Sequence, residues 1–214
     1  MTTQIVMAHE LPTLAISVRQ PWAWALIHAG KDCENRSAAA LRHMPLPPPG
    51  RRLAIHAAKG MTREEYEDAA DFMETLGVIV PKPGDLLRGC IMGDVAYCGQ
   101  TSENASSWFF GPRAIIVGDP RYCDPIYKVG ALGLFRWRDA AACEPAPVAK
   151  WMQSMPAAPA QRRSLADFRC RARSRADPAD QGRQQDAARG PSDPRLHGEL
   201  KEATMKQLTF QGYS

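Results

Sequence analysis

The sequence predicts an α+β fold: a small, mostly antiparallel β-barrel with two or more flanking helices, followed by a disordered C-terminal tail. Three observations predict it. Short apolar runs recur between turn-rich segments, as in small all-β and α+β domains. Two segments instead carry apolar residues at helical spacing. Beyond about Trp151 the chain becomes rich in Arg, Ala, Asp, Gln, Pro and Gly with almost no large apolar residues, a composition that cannot offset the entropy of ordering.

The first run, "LAISV" at 14–18, reads as a strand. Pro21 then stands where a first helical residue needs no N–H, and Trp22, Leu26 and Ala29 recur at helical spacing before Gly30, a natural stop. "KDCENR" at 31–36 reads as extended chain, with Glu34 and Arg36 on one face and Lys31 at the turn. "LRHMPLPPPG" at 41–50 is a rigid loop poor in N–H donors.

"RRLAIHAA" at 51–58 reads as a second strand, with Leu53 and Ile55 on one side and His56 on the other. "TREEYEDAADFMETLG" at 62–77 is the clearest helix. Thr62 and Glu65 make a capping box, and Tyr66, Ala69, Ala70, Met73 and Leu76 form the apolar stripe. Three more strands are predicted at 89–98, 113–119 and 131–137, separated by turns containing Gly99, Pro112, Pro120, Pro125 and Gly130.

Composition narrows the function. The 27 basic and 23 acidic residues give a net charge of +4. Residues 1–154 hold 16 of each sign, and the remainder holds 11 basic against 7 acidic, so the excess sits in the tail. A neutral body is not a strong generic nucleic-acid binder. Neither a long apolar span nor a secretion-signal pattern is seen, so a cytoplasmic location and no membrane partner are expected. The six cysteines form no C-x-x-C pair and no histidine stands at ligand spacing, so no metal, no cofactor and no disulfide framework is expected. The common nucleotide-hydrolase, Rossmann, serine-hydrolase and zinc-protease strings are missing.

Several groups could carry chemistry. Lys31, Glu34 and Arg36 offer an amine, a carboxylate and a planar fork of donors, suited to phosphate or carbonyl oxygens and to an exocyclic amine. The same spacing equally fits a simple surface pair of Glu34 with Arg36. Trp22 and Trp24 cannot both point one way, so one can serve the core and the other a stacking surface. "SSWFFGP" at 106–112 brings Trp108 to a loop, as a plug for the barrel end or a ligand contact. His56 and Lys59 place a titratable ring and a cation ahead of a capped helix, where anions are favoured.

Taken together, "SVRQPWAWALIHAGKDCENR", "LAIHAAKGMT", "WFFGP" and "GALGLFRW" resemble, in order, the ASCH domain of the PUA-like superfamily, with Gly30, Lys31, Glu34 and Arg36 matching that family's G-K-x-x-E-x-R signature. The resemblance implies an ASCH domain over residues 12–140 and a PUA-like barrel with a cleft beside the first helix; the low-complexity tail over 141–214, read from its composition, lies outside it. It implies binding of RNA or a modified nucleoside in a cleft lined by the signature residues; together with the residues read above, the candidate contacts are Gln20, Trp22, Lys31, Glu34, Arg36, His56, Lys59 and Trp108. A protein partner reached through the tail is a further expectation.

Some members of the family are amidohydrolases of N4-acylated cytidines, and ribonuclease activity is attributed to another. The hydrolytic members' lysine falls on Lys31, which would make Lys31 and Glu34 an acid/base pair in an enzyme. Their nearby threonine, however, falls on Glu34, and their further glutamate has no assignable position. A protein-interaction scaffold is the third alternative.

Overall fold

The computed structural model describes residues 4–154. Along the chain it runs β1 (Gln4–Ile5), β2 (Leu14–Val18), α1 (Trp22–His28), β3 (Cys33–Arg36), α2 (Ala38–Arg42), β4 (Arg52–Ala57), α3 (Arg63–Thr75), β5 (Cys90–Thr101), β6 (Arg113–Tyr127), β7 (Leu134–Arg136) and α4 (Lys150–Ser154). The fold is α+β, as the sequence predicts, but the predicted barrel does not close. The seven strands form one sheet in the order β1, β6, β5, β4, β2, β7, with β3 also pairing to β6.

The sheet is mixed: four of its six strand pairs are antiparallel, as expected, while β2–β4 and β1–β6 are parallel. Strands β2 and β4 can pair in parallel since the chain between Val18 and Arg52 is long enough for a crossover and carries α1 on the way. Apolar runs this short look the same in either pairing, so the sequence pattern does not reveal the direction.

Strand β6 extends well past the predicted 113–119. It absorbs Pro120 and Pro125 at register shifts against β5, where a residue without an N–H costs no ladder bond. Asp119, just before Pro120, has a φ of 45°. On β5, Gly93 sits at the shift opposite Pro125 with a φ of 154°, and a Cβ there would come within 2.1 Å of the Arg121 carbonyl oxygen. No other residue fits that close approach of two strands.

Both faces of the sheet are covered. Leu53, Ile55 and Ala57 of β4 point to a core shared with Ile16, Val18, Val95, Ile115 and the Leu26–Ile27 face of α1. Ala54 faces the opposite core, with Ala15, Ile91, Val6 and Trp137. Residues 4–11, ahead of the predicted domain, supply Val6 and Leu11 to that second core.

Helix α3 forms where the capping box and apolar stripe place it. Thr62 Oγ1 accepts from the Glu65 N–H at 3.2 Å, and Glu65 Oε2 accepts from the Thr62 N–H at 2.8 Å. Tyr66, Ala69, Ala70, Phe72 and Met73 are buried, packing the helix over the outer side of α1. Replacing Thr62 with alanine removes one cap acceptor and is expected to cost about 1 kcal/mol in a urea-denaturation measurement.

Residues 141–154, which the sequence reading places in the tail, make contacts with the domain. Arg88 Nη2 donates to the Pro147 carbonyl at 2.6 Å, Trp151 lies 6.4 Å from the Tyr66 ring, and Met152 is buried beside α3. A few apolar anchors are enough to seat this stretch, which composition averaged over a long window conceals. The predicted disordered segment from 155 onward lies outside the described residues. Among the described residues, no helix is long and apolar enough to cross a membrane.

Candidate functional site

The end of α1 sets up the site. Gly30 adopts a φ of 69°, which turns the chain so that the Lys31 N–H returns to the Ala25 carbonyl at 3.1 Å. The chain then enters β3, which runs antiparallel to β6 with Glu34 opposite Ile115 and Arg36 opposite Arg113. Alternation along β3 sends Cys33 and Asn35 to one side and Glu34 and Arg36 to the other.

Lys31, Glu34 and Arg36 converge. Lys31 Nζ lies 2.9 Å from Glu34 Oε2, and Arg36 Nη2 lies 3.3 Å from Glu34 Oε1. Lys31 also donates to the Cys33 carbonyl, and its ammonium stands 5.8 Å from the centre of the Trp22 ring. Arg36 Nη2 donates to the Ser17 carbonyl at 2.8 Å, across to β2. The surface-pair reading of Glu34 and Arg36 is thus partly right, with Lys31 added as a third member.

Exposure divides their roles. The Lys31 side chain is only 1% exposed, against 12% for Glu34 and 18% for Arg36. Lys31 therefore lies behind Glu34, holding its carboxylate, while Glu34 and Arg36 reach the surface. Each Glu34 oxygen has one cationic partner and retains lone-pair capacity for another donor. Arg36 Nε is buried without a hydrogen-bond partner. Two cations against one carboxylate leave the group with one net positive charge.

The other predicted contacts occupy different settings. Gln20 is 1% exposed and spends its amide inside the protein, donating to the Leu87 carbonyl at 2.7 Å and accepting from the Trp24 N–H at 3.0 Å. His56 is also 1% exposed, with Nδ1 3.2 Å from Ser17 Oγ and Nε2 3.0 Å from the Lys128 carbonyl. Burial lowers its pKa below the ordinary histidine value, even though the bond to Lys128 acts the other way. Trp108 is buried against Phe72 at 5.9 Å. Gln20, His56 and Trp108 are thus buried in the interior.

Trp22 is half-buried and packs between Phe72 at 5.6 Å and Phe110 at 5.5 Å. Lys59 is exposed on the turn between β4 and α3, and no hydrogen bond or ion pair joins it to the three convergent residues. Two residues that sequence reasoning passed over carry the geometry. Asn35, on the far side of β3, donates to the Trp108 carbonyl at 2.9 Å and accepts from the Phe110 and Gly111 N–H groups at 3.1 Å, fixing the aromatic loop. Ser17, within the strand the sequence marks at 14–18, supplies the carbonyl that holds Arg36, and a backbone carbonyl carries no signal of that role in the residue type.

Three buried thiols are poor nucleophiles. Burial pushes Cys33 up to about 11 and Cys90 and Cys123 up to about 12, so all three stay protonated at neutral pH. Among the described residues no group of three His, Cys, Asp or Glu side chains could hold a metal ion. A groove of about 570 Å³ opens elsewhere, between residues 10–14 and 47–52, and includes none of the predicted contacts.

No protein-family model matches the chain. No curated protein matches it either. Among solved structures it is similar to the ASCH protein of Zymomonas mobilis, at 16% identity and a TM-score of 0.34, covering 59% of this chain and 87% of that one. It is likewise similar to a serine-to-alanine mutant of that protein, at 15% identity and a TM-score of 0.34, covering 59% and 88%.

Proposed function

We propose that the chain is an ASCH-type binding module that holds single-stranded RNA, or a modified nucleoside within it, at Glu34 and Arg36. Arg36 meets phosphate or carbonyl oxygens, and Glu34 accepts from an exocyclic base amine. Lys31 stays behind Glu34 and keeps its carboxylate aimed. The exposed part of Trp22 borders the same group.

The observation that supports this reading is the convergence itself. Two cations each lie within 3.3 Å of one carboxylate, with the lysine sealed inside and the other two side chains reaching the surface. Such a group keeps one positive charge partly out of water, where attraction for an anionic or carbonyl-bearing ligand is stronger than at an open surface.

Fluorescence anisotropy with a short labelled single-stranded oligoribonucleotide tests the reading. Arg36→Ala is expected to weaken binding about tenfold, the scale of one charge-assisted hydrogen bond. Equal affinity of the wild type and the variant for the same RNA would reject it.

A further inference from the structure

We infer that Ser17 and His56 are positioning residues for Arg36, and that they tie its guanidinium to the loop between β6 and β7. The inference rests on the reading of Arg36 as a ligand contact, but its geometry stands independently of the ligand.

Strand β7 pairs with β2 only over Leu14–Ile16. At Ser17 the ladder ends, and the two backbone groups of that residue find other partners. Its N–H donates to the Gly133 carbonyl at 3.3 Å, and its carbonyl accepts from Arg36 at 2.8 Å. One residue therefore anchors both the loop and the arginine.

The bond to Ser17 is the tighter of the two that Arg36 makes. Its contact with Glu34 is 3.3 Å, and its buried Nε has no partner. A guanidinium held this way takes its position mainly from the Ser17 carbonyl.

His56 fixes Ser17 in turn. The Lys128 carbonyl can only accept, so His56 Nε2 carries the proton, and Nδ1 accepts from the Ser17 hydroxyl. The tautomer is thereby set by its two neighbours. The imidazole also meets Phe135 edge-on at 5.5 Å. On its other side runs Gly130, where a Cβ would lie 2.3 Å from the ring, so only glycine lets the loop pass this close.

The loop is fastened beyond the histidine as well. The Lys128 N–H donates to the Gly89 carbonyl at 3.1 Å and the Val129 N–H to the Ala141 carbonyl at 2.9 Å. A firm support thus runs from Gly89 and Ala141 through Lys128, His56 and Ser17 to Arg36. Loosening any link lets the guanidinium wander while the rest of the fold remains.

Two conservative variants break the chain of contacts: Ser17→Ala, which removes the hydroxyl, and His56→Phe, which fills the same space without polar atoms. The first readout needs no ligand. The NMR cross-peak of the Arg36 Nε–H, identified by its loss in Arg36→Ala, is expected to shift in both variants. If it moves in neither, the inference is overturned whatever the protein binds.

The second readout is a double-mutant cycle with the labelled oligoribonucleotide. Each variant is expected to weaken binding roughly fivefold in the wild-type background and to have no further effect in Arg36→Ala. Equal losses in both backgrounds would show a general structural effect and overturn the positioning role. Should the cross-peak shift while Arg36→Ala leaves RNA binding intact, positioning would stand and the binding reading would fall.

Discussion

Replacing Lys31 with alanine is expected to lower the stability of the folded protein by about 3 kcal/mol. The loss has two parts. The Lys31 side chain is 1% exposed, so truncation empties a packed space lined by Trp22 and the end of α1. It also leaves the Glu34 carboxylate, 12% exposed, with only the longer 3.3 Å contact to Arg36. Breaking a buried pair from one side costs more than replacing both members, since the survivor keeps its charge out of water. Lys31→Met restores most of the volume but not the charge, and is expected to cost roughly half as much. Urea denaturation of the wild type and both variants checks this. A loss below about 1 kcal/mol for Lys31→Ala would show that the amine contributes little to the fold.

A loss of similar size is expected at Asp94, which no feature of the sequence singled out. Asp94 is fully buried on β5 and takes Arg52 from β4 and Arg121 from β6, at 2.8 Å and 2.6 Å. Arg121 is bidentate, with Nε 2.9 Å from the other carboxylate oxygen. Burial by itself would raise the Asp94 carboxyl. The hydrogen bonds and charges of Arg121 and Arg52 outweigh it, and the net displacement is below the ordinary value of 3.8.

Asp94→Ala is expected to destabilise the sheet by about 3 kcal/mol, near the low end for a broken buried pair because both arginines keep some solvent contact. The pH dependence follows from the lowered pKa. The stabilisation is complete well above 3.8 and is lost as pH falls below that value through the folded pKa, because the unfolded chain takes up the proton first. The wild type should therefore lose stability on acidification below pH 3.8 more steeply than Asp94→Ala. Parallel acid-titration curves for the two would contradict this.

Much of the local structure was legible in the sequence, for identifiable reasons. The Thr62–Glu65 capping box and the Tyr66–Met73 stripe join residues at most a few turns apart along the chain, so α3 could be placed directly. Gly30 marked the end of α1, and alternation put Glu34 and Arg36 on one face. Helix α2 was missed because its five residues follow a Ser37 cap in a stretch that reads as an approach to a proline loop. The extent of β6 was missed because prolines are read as breaks, whereas the register shifts opposite β5 accommodate them.

Sequence alone determined what depends on neighbours along the chain: the caps, the helix stripe, the turn at Gly30, the shared face of Glu34 and Arg36, and the balance of charge. The tertiary structure decided what depends on residues far apart. It set the parallel pairing of β2 with β4, the open sheet, the burial of Lys31 behind Glu34, the two arginines on Asp94 and the interior places of Gln20, His56 and Trp108. The physical reason is that hydrogen-bonding residue types advertise their chemistry locally, while exposure and choice of partner are fixed only when distant strands meet.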